Sequence, residues 1–165
     1  MTNPSEPAGP PTLPPPSVPT GPRLHSRDSL IGADGLPTWT RLEIFHGLPS
    51  KTLENLRDAM TSVVFTPGER IITQDDTGDD MFVLEQGSVK VSVRGTNKTT
   101  VFERVLTAPA LFGEMALVTS EPRSASVTAE TRARCLRLGK EAFSELMRRN
   151  PQASVFLTKI VGERL

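Results

Sequence analysis

The stretch Met81–Arg94, MFVLEQGSVKVSVR, shows two hydrophobic patterns on either side of one turn. It opens with an apolar run of four residues, which ends at a turn around Gly87. Beyond the turn, three valines alternate with polar residues, and this period of two is typical of a half-buried strand. The stretch therefore predicts two consecutive strands and indicates a fold built mainly from β-structure.

Short segments of the same kind recur along the chain, separated by turn signals such as Thr66-Pro67-Gly68-Glu69. The further predicted strands are Val63–Phe65, Ile71–Ile72, Thr100–Leu106, Ala125–Ala129 and Cys135–Leu138. Many short strands with frequent turns favour a small antiparallel barrel or roll, because closure removes most of the exposed edges.

Helical patterns flank the predicted strands on both sides. Trp39–His46 is expected to form a short helix, and Ser50 is expected to cap the next one. After the strands, Lys140–Asn150 predicts a helix that stops at Pro151, since a residue before proline disfavours helical backbone angles. Ala153–Leu165 resumes the helix and is apolar on more than one side, which indicates a partner surface.

The first part of the chain has a different composition. Nine of the 15 prolines lie within Met1–Pro22. Such a segment cannot bury enough apolar surface to offset its ordering entropy, so residues 1–38 are expected to form a disordered, proline-rich tail. Its spaced prolines suit either an SH3-type groove or a plain spacer. Residues 39–165 are expected to form the single folded domain.

Composition excludes several classes of function. Lys+Arg and Asp+Glu both number 19, which argues against broad nucleic-acid binding. With one cysteine, Cys135, no internal disulfide can form, and we expect a cytoplasmic protein without a secretory signal or membrane segment. His25, His46 and Cys135 lack metal-ligand spacing, so no metal is expected. Enzymatic motifs are also missing, and we do not expect an enzyme.

The stretch Leu111–Val127 carries the chemistry of an anion site. Gly113 lets the backbone approach a ligand closely, and the first amides of a helical turn at Glu114–Leu117 would lack intrahelical acceptors. Arg123 supplies a planar fork of donors suited to phosphate oxygens, and Ser124 adds a hydroxyl group. Glu114 would suit a ligand that also carries hydroxyl groups. Together these groups predict a nucleotide with a phosphate on its ribose.

The order Phe-Gly-Glu-Met-Ala-Leu, then five residues, then Arg-Ser-Ala-Ser-Val resembles the phosphate-binding cassette of the cyclic nucleotide-binding domain family. This family includes catabolite activator protein, protein kinase A regulatory subunits and cyclic-nucleotide-gated channels. The resemblance extends from about Ile44 to the last helix and includes Pro67-Gly68-Glu69 and Gly78-Asp79. It departs at Ala108-Pro109-Ala110, where the family often has a glycine-containing turn.

The resemblance implies an α+β fold that is mainly β: an eight-stranded, antiparallel, jelly-roll-like β-roll with short N-terminal helices and two C-terminal helices. It also implies roles for matching residues. Glu114 would accept a hydrogen bond from the ribose 2′-hydroxyl group, and Arg123 would form an ion pair with the cyclic phosphate. The remaining ligand-binding candidates are the phosphate-side residues Phe112, Gly113, Met115, Ala116, Ser124 and Ala125, and the base-wall residues Val83, Leu84, Val101 and Val127.

The function expected from these patterns is a cyclic nucleotide sensor whose ligand is cAMP rather than cGMP. Binding would reposition the helices after Lys140, with hinges at Gly139 and at Asn150-Pro151. The partner would be a protein effector, or a second copy through the last helix. The alternative is a nucleotide-independent scaffold that uses the proline-rich tail and the apolar last helix. A DNA-binding regulator is disfavoured, because no helix-turn-helix follows Leu165.

Overall fold

The computed structural model describes residues 24–25, 31–33 and 35–164. Its helices are α1 (Ser50–Ala59), α2 (Glu114–Thr119), α3 (Lys140–Arg149) and α4 (Pro151–Arg164). Two 3-10 turns, Thr38–Arg41 and Glu43–Phe45, precede α1. The strands are β1 (Leu24–His25), β2 (Thr61–Phe65), β3 (Arg70–Ile72), β4 (Asp80–Gln86), β5 (Ser88–Arg94), β6 (Thr100–Thr107), β7 (Ala110–Phe112), β8 (Ser126–Ala129) and β9 (Ala133–Gly139).

The strands form two antiparallel sheets. One sheet has the order β1-β2-β9-β4-β7, and the other has the order β3-β8-β5-β6. The eight strands from β2 to β9 confirm the predicted eight-stranded antiparallel roll with helices before and after it. The two strands predicted within Met81–Arg94 are β4 and β5, which belong to different sheets, so the turn at Gly87 carries the chain from one layer to the other.

Two apolar clusters lie on opposite faces of the larger sheet. Phe82 and Leu84 of β4 face a cluster between the two sheets. Met81 and Val83 face a cluster that the sheet shares with the helices. Alternate residues of a strand point to opposite faces, so a strand covered on both sides must be apolar throughout. This double burial explains the unbroken apolar run in β4.

Several predicted boundaries differ from the structure. Trp39–His46 forms two 3-10 turns rather than one helix, because Leu42 between them has extended backbone angles (φ −62°, ψ 137°). Ser50 is the first residue of α1 and does not cap it: Pro49 precedes the helix, and its carbonyl accepts a hydrogen bond from the Leu53 amide at 3.1 Å.

Other differences concern strands and the last helix. β1 and β7, which have two and three residues, were not predicted from the sequence. α4 begins at Pro151 rather than Ala153, since proline suits a first helical position whose amide needs no partner. The predicted tail, residues 1–38, lies mostly outside the described residues. Within it, Leu24 and His25 pair with Ser62 and Thr61 of β2.

Candidate functional site

A cavity of about 530 Å³ lies between α2, the start of β8 and the β5–β6 hairpin. Its volume falls in the usual range for small-molecule sites. Part of its lining comes from two short segments of the chain, Gly113, Met115 and Ala116 in the first and residues 123–125 in the second. The remaining walls are largely apolar, with Arg104 as a second cation, and consist of Ile72, Val91, Val93, Phe102, Arg104, Leu106, Phe112 and Val127.

Gly113 turns the chain from β7 into α2 beside the cavity. Its φ of +82° lies in the left-handed region, which residues that carry a Cβ atom rarely adopt. A Cβ atom here would also lie only 3.0 Å from Ile72 Cδ1 and 3.1 Å from Arg123 Nη1. Glycine therefore allows both the turn and the close approach of the arginine at the start of α2, where the first amides lack intrahelical acceptors.

Arg123 is held firmly in the cavity lining, although it carries a charge and is only 7% exposed. Its Nη1 donates hydrogen bonds to the carbonyl oxygens of Asp80 and Gly113, both at 2.9 Å, and its Nη2 donates to the Asp80 carboxylate. The Arg123 backbone is paired with residues 75 and 76 through two hydrogen bonds of 2.8 Å. A buried cation held in one orientation can recognise an anion with little further loss of conformational entropy.

The β5–β6 hairpin forms most of the apolar part of the cavity wall. Gln74 fixes the end of β5, because its side-chain amide exchanges two hydrogen bonds with the backbone of Arg94, at 2.8 and 3.0 Å. Phe102 and Arg104 are two residues apart on β6, so they share the face that lines the cavity. Phe102 is 51% exposed, which leaves a ring free to pack against a flat apolar ligand group.

Most of the predicted site residues come together around this cavity. It is lined by eight of them: Phe112, Gly113, Met115, Ala116, Arg123, Ser124, Ala125 and Val127. Glu114 lies beside them at the start of α2, but its side chain is fully buried and is not part of the cavity surface within the described residues.

The structure places three of the four predicted base-wall residues away from the cavity surface. Val83 belongs to the cluster shared with the helices, and Leu84 to the cluster between the sheets, so neither reaches the cavity surface. Val101 is 65% exposed and lies on the other face of β6 from Phe102. The apolar lining of the cavity comes mainly from Val91, Val93, Phe102 and Leu106, which were not singled out from the sequence. Their spacing of two along the hairpin was the available signal, but it does not say which face looks inward.

Cys135 is fully buried between the sheets and takes no part in the site. Burial, together with the negative charge of Glu85, raises the pKa of its thiol from 9.0 to about 12. Cys135 is therefore an unreactive core residue. Among the described residues, no group of His, Cys, Asp and Glu side chains is arranged to hold a metal ion. No helix within the described ranges is long and apolar enough to cross a membrane.

Comparison with known proteins identifies this architecture. The sequence profile of the cyclic nucleotide-binding domain matches residues 62–150, so the chain belongs to the cyclic nucleotide-binding domain family. The domain is regulatory rather than catalytic, as in protein kinase A regulatory subunits and catabolite activator protein.

Individual relatives agree with this assignment. The cAMP-dependent protein kinase regulatory subunit of Yarrowia lipolytica is 36% identical over 123 residues, which are 74% of this chain and 31% of the relative. The cGMP-dependent protein kinase of Toxoplasma gondii is 34% identical over 105 residues, 59% of this chain and 10% of the kinase. The chain thus spans less than a third of the length of these curated relatives.

Solved structures share the fold. Thermus thermophilus catabolite activator protein superposes with a TM-score of 0.67 at 26% identity, covering 74% of this chain and 57% of that protein. The regulatory domain of Toxoplasma gondii protein kinase A, crystallised with cAMP, superposes with a TM-score of 0.68 at 26% identity, covering 74% and 47% of the two chains.

Proposed function

We propose that the cavity binds a cyclic nucleotide, with the cyclic phosphate at Arg123 and the base against the β5–β6 hairpin. The single observation that carries this proposal is the composition of the cavity lining: a buried, oriented arginine lines the same cavity as a largely apolar set of side chains. A cyclic nucleotide has the matching chemistry, since it carries one phosphate charge at one end and an aromatic base at the other.

The proposal assigns roles to the residues around Gly113 and Arg123. The amides of Gly113, Met115 and Ala116 face the phosphate or the ribose, and Ser124 and Ala125 complete the phosphate shell. Glu114 is proposed to accept a hydrogen bond from the ribose 2′-hydroxyl group. Because its side chain is fully buried in this structure, that contact requires α2 to shift toward the ligand.

We take cAMP as the preferred ligand. Support comes from relatives named as cAMP-dependent kinase regulatory subunits, among them one from Mucor circinelloides that is 34% identical over 104 residues. A second candidate, cGMP, is favoured by one feature of the cavity. Arg104 lines it, and a guanidinium can donate to both O6 and N7 of guanine, whereas adenine presents an amino group in place of O6.

We further propose that ligand binding repositions α3 and α4. Leu117 of α2 packs in the same apolar cluster as Phe143 and Leu146 of α3 and Leu157 of α4. A movement of α2 toward the phosphate would therefore disturb the packing of both C-terminal helices. Asn150, which is buried between them and donates from its amide to the Leu146 carbonyl at 3.1 Å, is a candidate pivot together with Pro151.

Such a movement would change how α4 contacts another protein. Val155 of α4 is 70% exposed and offers an apolar surface to an effector or to a second copy of the chain. We propose that this occurs in the cytoplasm, where a free thiol such as Cys135 stays reduced. A nucleotide-independent scaffold remains the alternative, and it predicts partner binding that cyclic nucleotides do not alter.

Calorimetric titration tests the proposal. The chain should bind cAMP at one site, cGMP more weakly and 5′-AMP hardly at all. Arg123→Gln should weaken cAMP binding by about ten- to hundredfold, the size of one buried charge-assisted contact. Arg94→Gln, which removes the same charge from an exposed position at the end of β5, is the matched control. Equal affinity of both variants for cAMP would contradict the proposed site.

A further inference from the structure

The carboxylate of Asp80 lies between two arginines. One of its oxygens accepts a hydrogen bond from Nη2 of Arg123, and the other accepts one from Nε of Arg137. Asp80 opens β4, and Arg137 lies on the neighbouring strand β9, where it pairs with Phe82. The Asp80 side chain is 13% exposed and the Arg137 side chain 52%, so the second arginine covers the carboxylate from the solvent side.

The hydrogen bonds of Arg123 show which of its donors the protein uses. A guanidinium has five N–H groups. Both hydrogens on Nη1 are used by the carbonyls of Asp80 and Gly113, and one on Nη2 is used by the Asp80 carboxylate. Within the described residues, the Nε hydrogen and the second Nη2 hydrogen remain. These two lie along one edge of the guanidinium, on the side that Gly78 approaches.

The same carboxylate that orients Arg123 also opposes an incoming phosphate. A pair formed by Asp80 and Arg123 alone would be neutral, and a phosphate would approach a nearby carboxylate with no net attraction. Arg137 changes this balance, because two arginines and one aspartate leave a net charge of +1. Arg137 does not line the cavity and its side chain is 52% exposed, so solvent screens its direct attraction for the ligand and its main effect acts on Asp80.

We infer that Arg137 is a positioning residue for phosphate recognition: it shares the Asp80 carboxylate, so that Asp80 orients Arg123 without neutralising the cluster. This inference rests on the proposed binding of a cyclic nucleotide at Arg123. It explains why an acidic residue lies next to a site for an anion. It also names two residues, Asp80 and Arg137, that the phosphate cassette itself does not contain.

The inference makes a specific prediction for paired variants. Arg137→Gln should weaken cAMP binding about five- to twentyfold, and Arg137→Lys should restore most of the loss because it keeps the charge. In an Asp80→Asn background, which has no carboxylate to balance, Arg137→Gln should change the affinity less than twofold. Arg132→Gln, an exposed arginine just before β9, is the control for net charge and should have no effect.

The experiment is a calorimetric double-mutant cycle with cAMP, repeated with adenosine, which lacks the phosphate. A purely structural role for Arg137 would lower the affinity for both ligands and would persist in the Asp80→Asn background, and that result would overturn the inference. Equal losses for Arg137→Gln and Arg132→Gln would overturn it as well. If the unaltered chain binds no cyclic nucleotide, the proposed function fails first, and the inference that rests on it fails with it.

Discussion

Gly78→Ala is a small change with a large expected effect on the site. A Cβ atom at residue 78 would lie 2.1 Å from Nε, 2.4 Å from Cζ and 2.4 Å from Nη2 of Arg123. These separations are far below van der Waals contact, so the guanidinium must move by more than about 1 Å. Movement on that scale breaks the 2.9 Å hydrogen bonds to the Asp80 and Gly113 carbonyls.

The magnitude follows from what the guanidinium loses. Its charge-assisted contact with the phosphate contributes about 1.5–3 kcal/mol, so misplacing the donors should weaken cAMP binding by about ten- to hundredfold. The domain should still fold, because the clash involves the far end of a flexible side chain rather than the backbone. Affinity should therefore fall much more than the midpoint of thermal unfolding.

Gly139→Ala is the matched control for this prediction. Gly139 pairs with Asp80 between β4 and β9, and a Cβ atom there would meet no atom within 4 Å. Titration calorimetry and thermal unfolding of both variants give the comparison. If Gly78→Ala binds cAMP as tightly as Gly139→Ala does, the fixed position of Arg123 is not needed for binding, and the reasoning is refuted.

Three further predictions concern the wall, the helices and the core. Phe102→Ser should weaken cAMP binding roughly tenfold in calorimetry, because the base loses its stacking partner. An unchanged affinity would show that the base does not pack against this wall. Pro151→Ala should leave the affinity within about twofold but alter the ligand-dependent hydrogen exchange of α4; an unaltered exchange pattern would argue against a hinge there. For Cys135, whose pKa rises from 9.0 to about 12, the unfolded chain loses a proton above about pH 9 that the folded chain keeps. The free energy of unfolding should therefore fall with rising pH by up to about 1.4 kcal/mol per unit between those values, and Cys135→Ala should flatten that slope in denaturant titrations. The chain has no tyrosine, and its lysines are the same in both proteins, so the difference in slope reports Cys135; an equal slope in the variant would contradict the prediction.

Local sequence patterns predicted most of the fold. The alternation in β5 and the apolar run in β4 marked both strands, because burial imposes a period on side chains wherever a face is covered. β7 and β1 have only three and two residues, too few to show a period, whereas the equally short β3 was predicted from the Pro67-Gly68 turn before it. Whether Trp39–His46 forms one helix or two turns depends on the packing of Trp39 against Phe45, whose rings meet edge to face at 5.2 Å.

The part of the cavity lining around Gly113 and Arg123 could be predicted and the apolar wall could not, for a physical reason. Gly113 and Arg123 belong to one short segment of chain whose order of residues carries the chemistry. The wall comes from β5 and β6, and its members depend on which face of the hairpin turns toward α2. The pairing of Asp80 with Arg123 and Arg137 brings together residues 43 and 57 positions apart, which only the strand register can reveal.

The most direct test of the central claim is an NMR titration of the ¹⁵N-labelled chain with cAMP. Binding as proposed should shift the backbone amides of Gly113, Met115, Ala116 and Ser124 together with the Nε–H of Arg123, and these shifts should saturate at one equivalent. Saturating cAMP that leaves these resonances in place, or that moves a different set of residues, would contradict the assignment of this cavity as the nucleotide site.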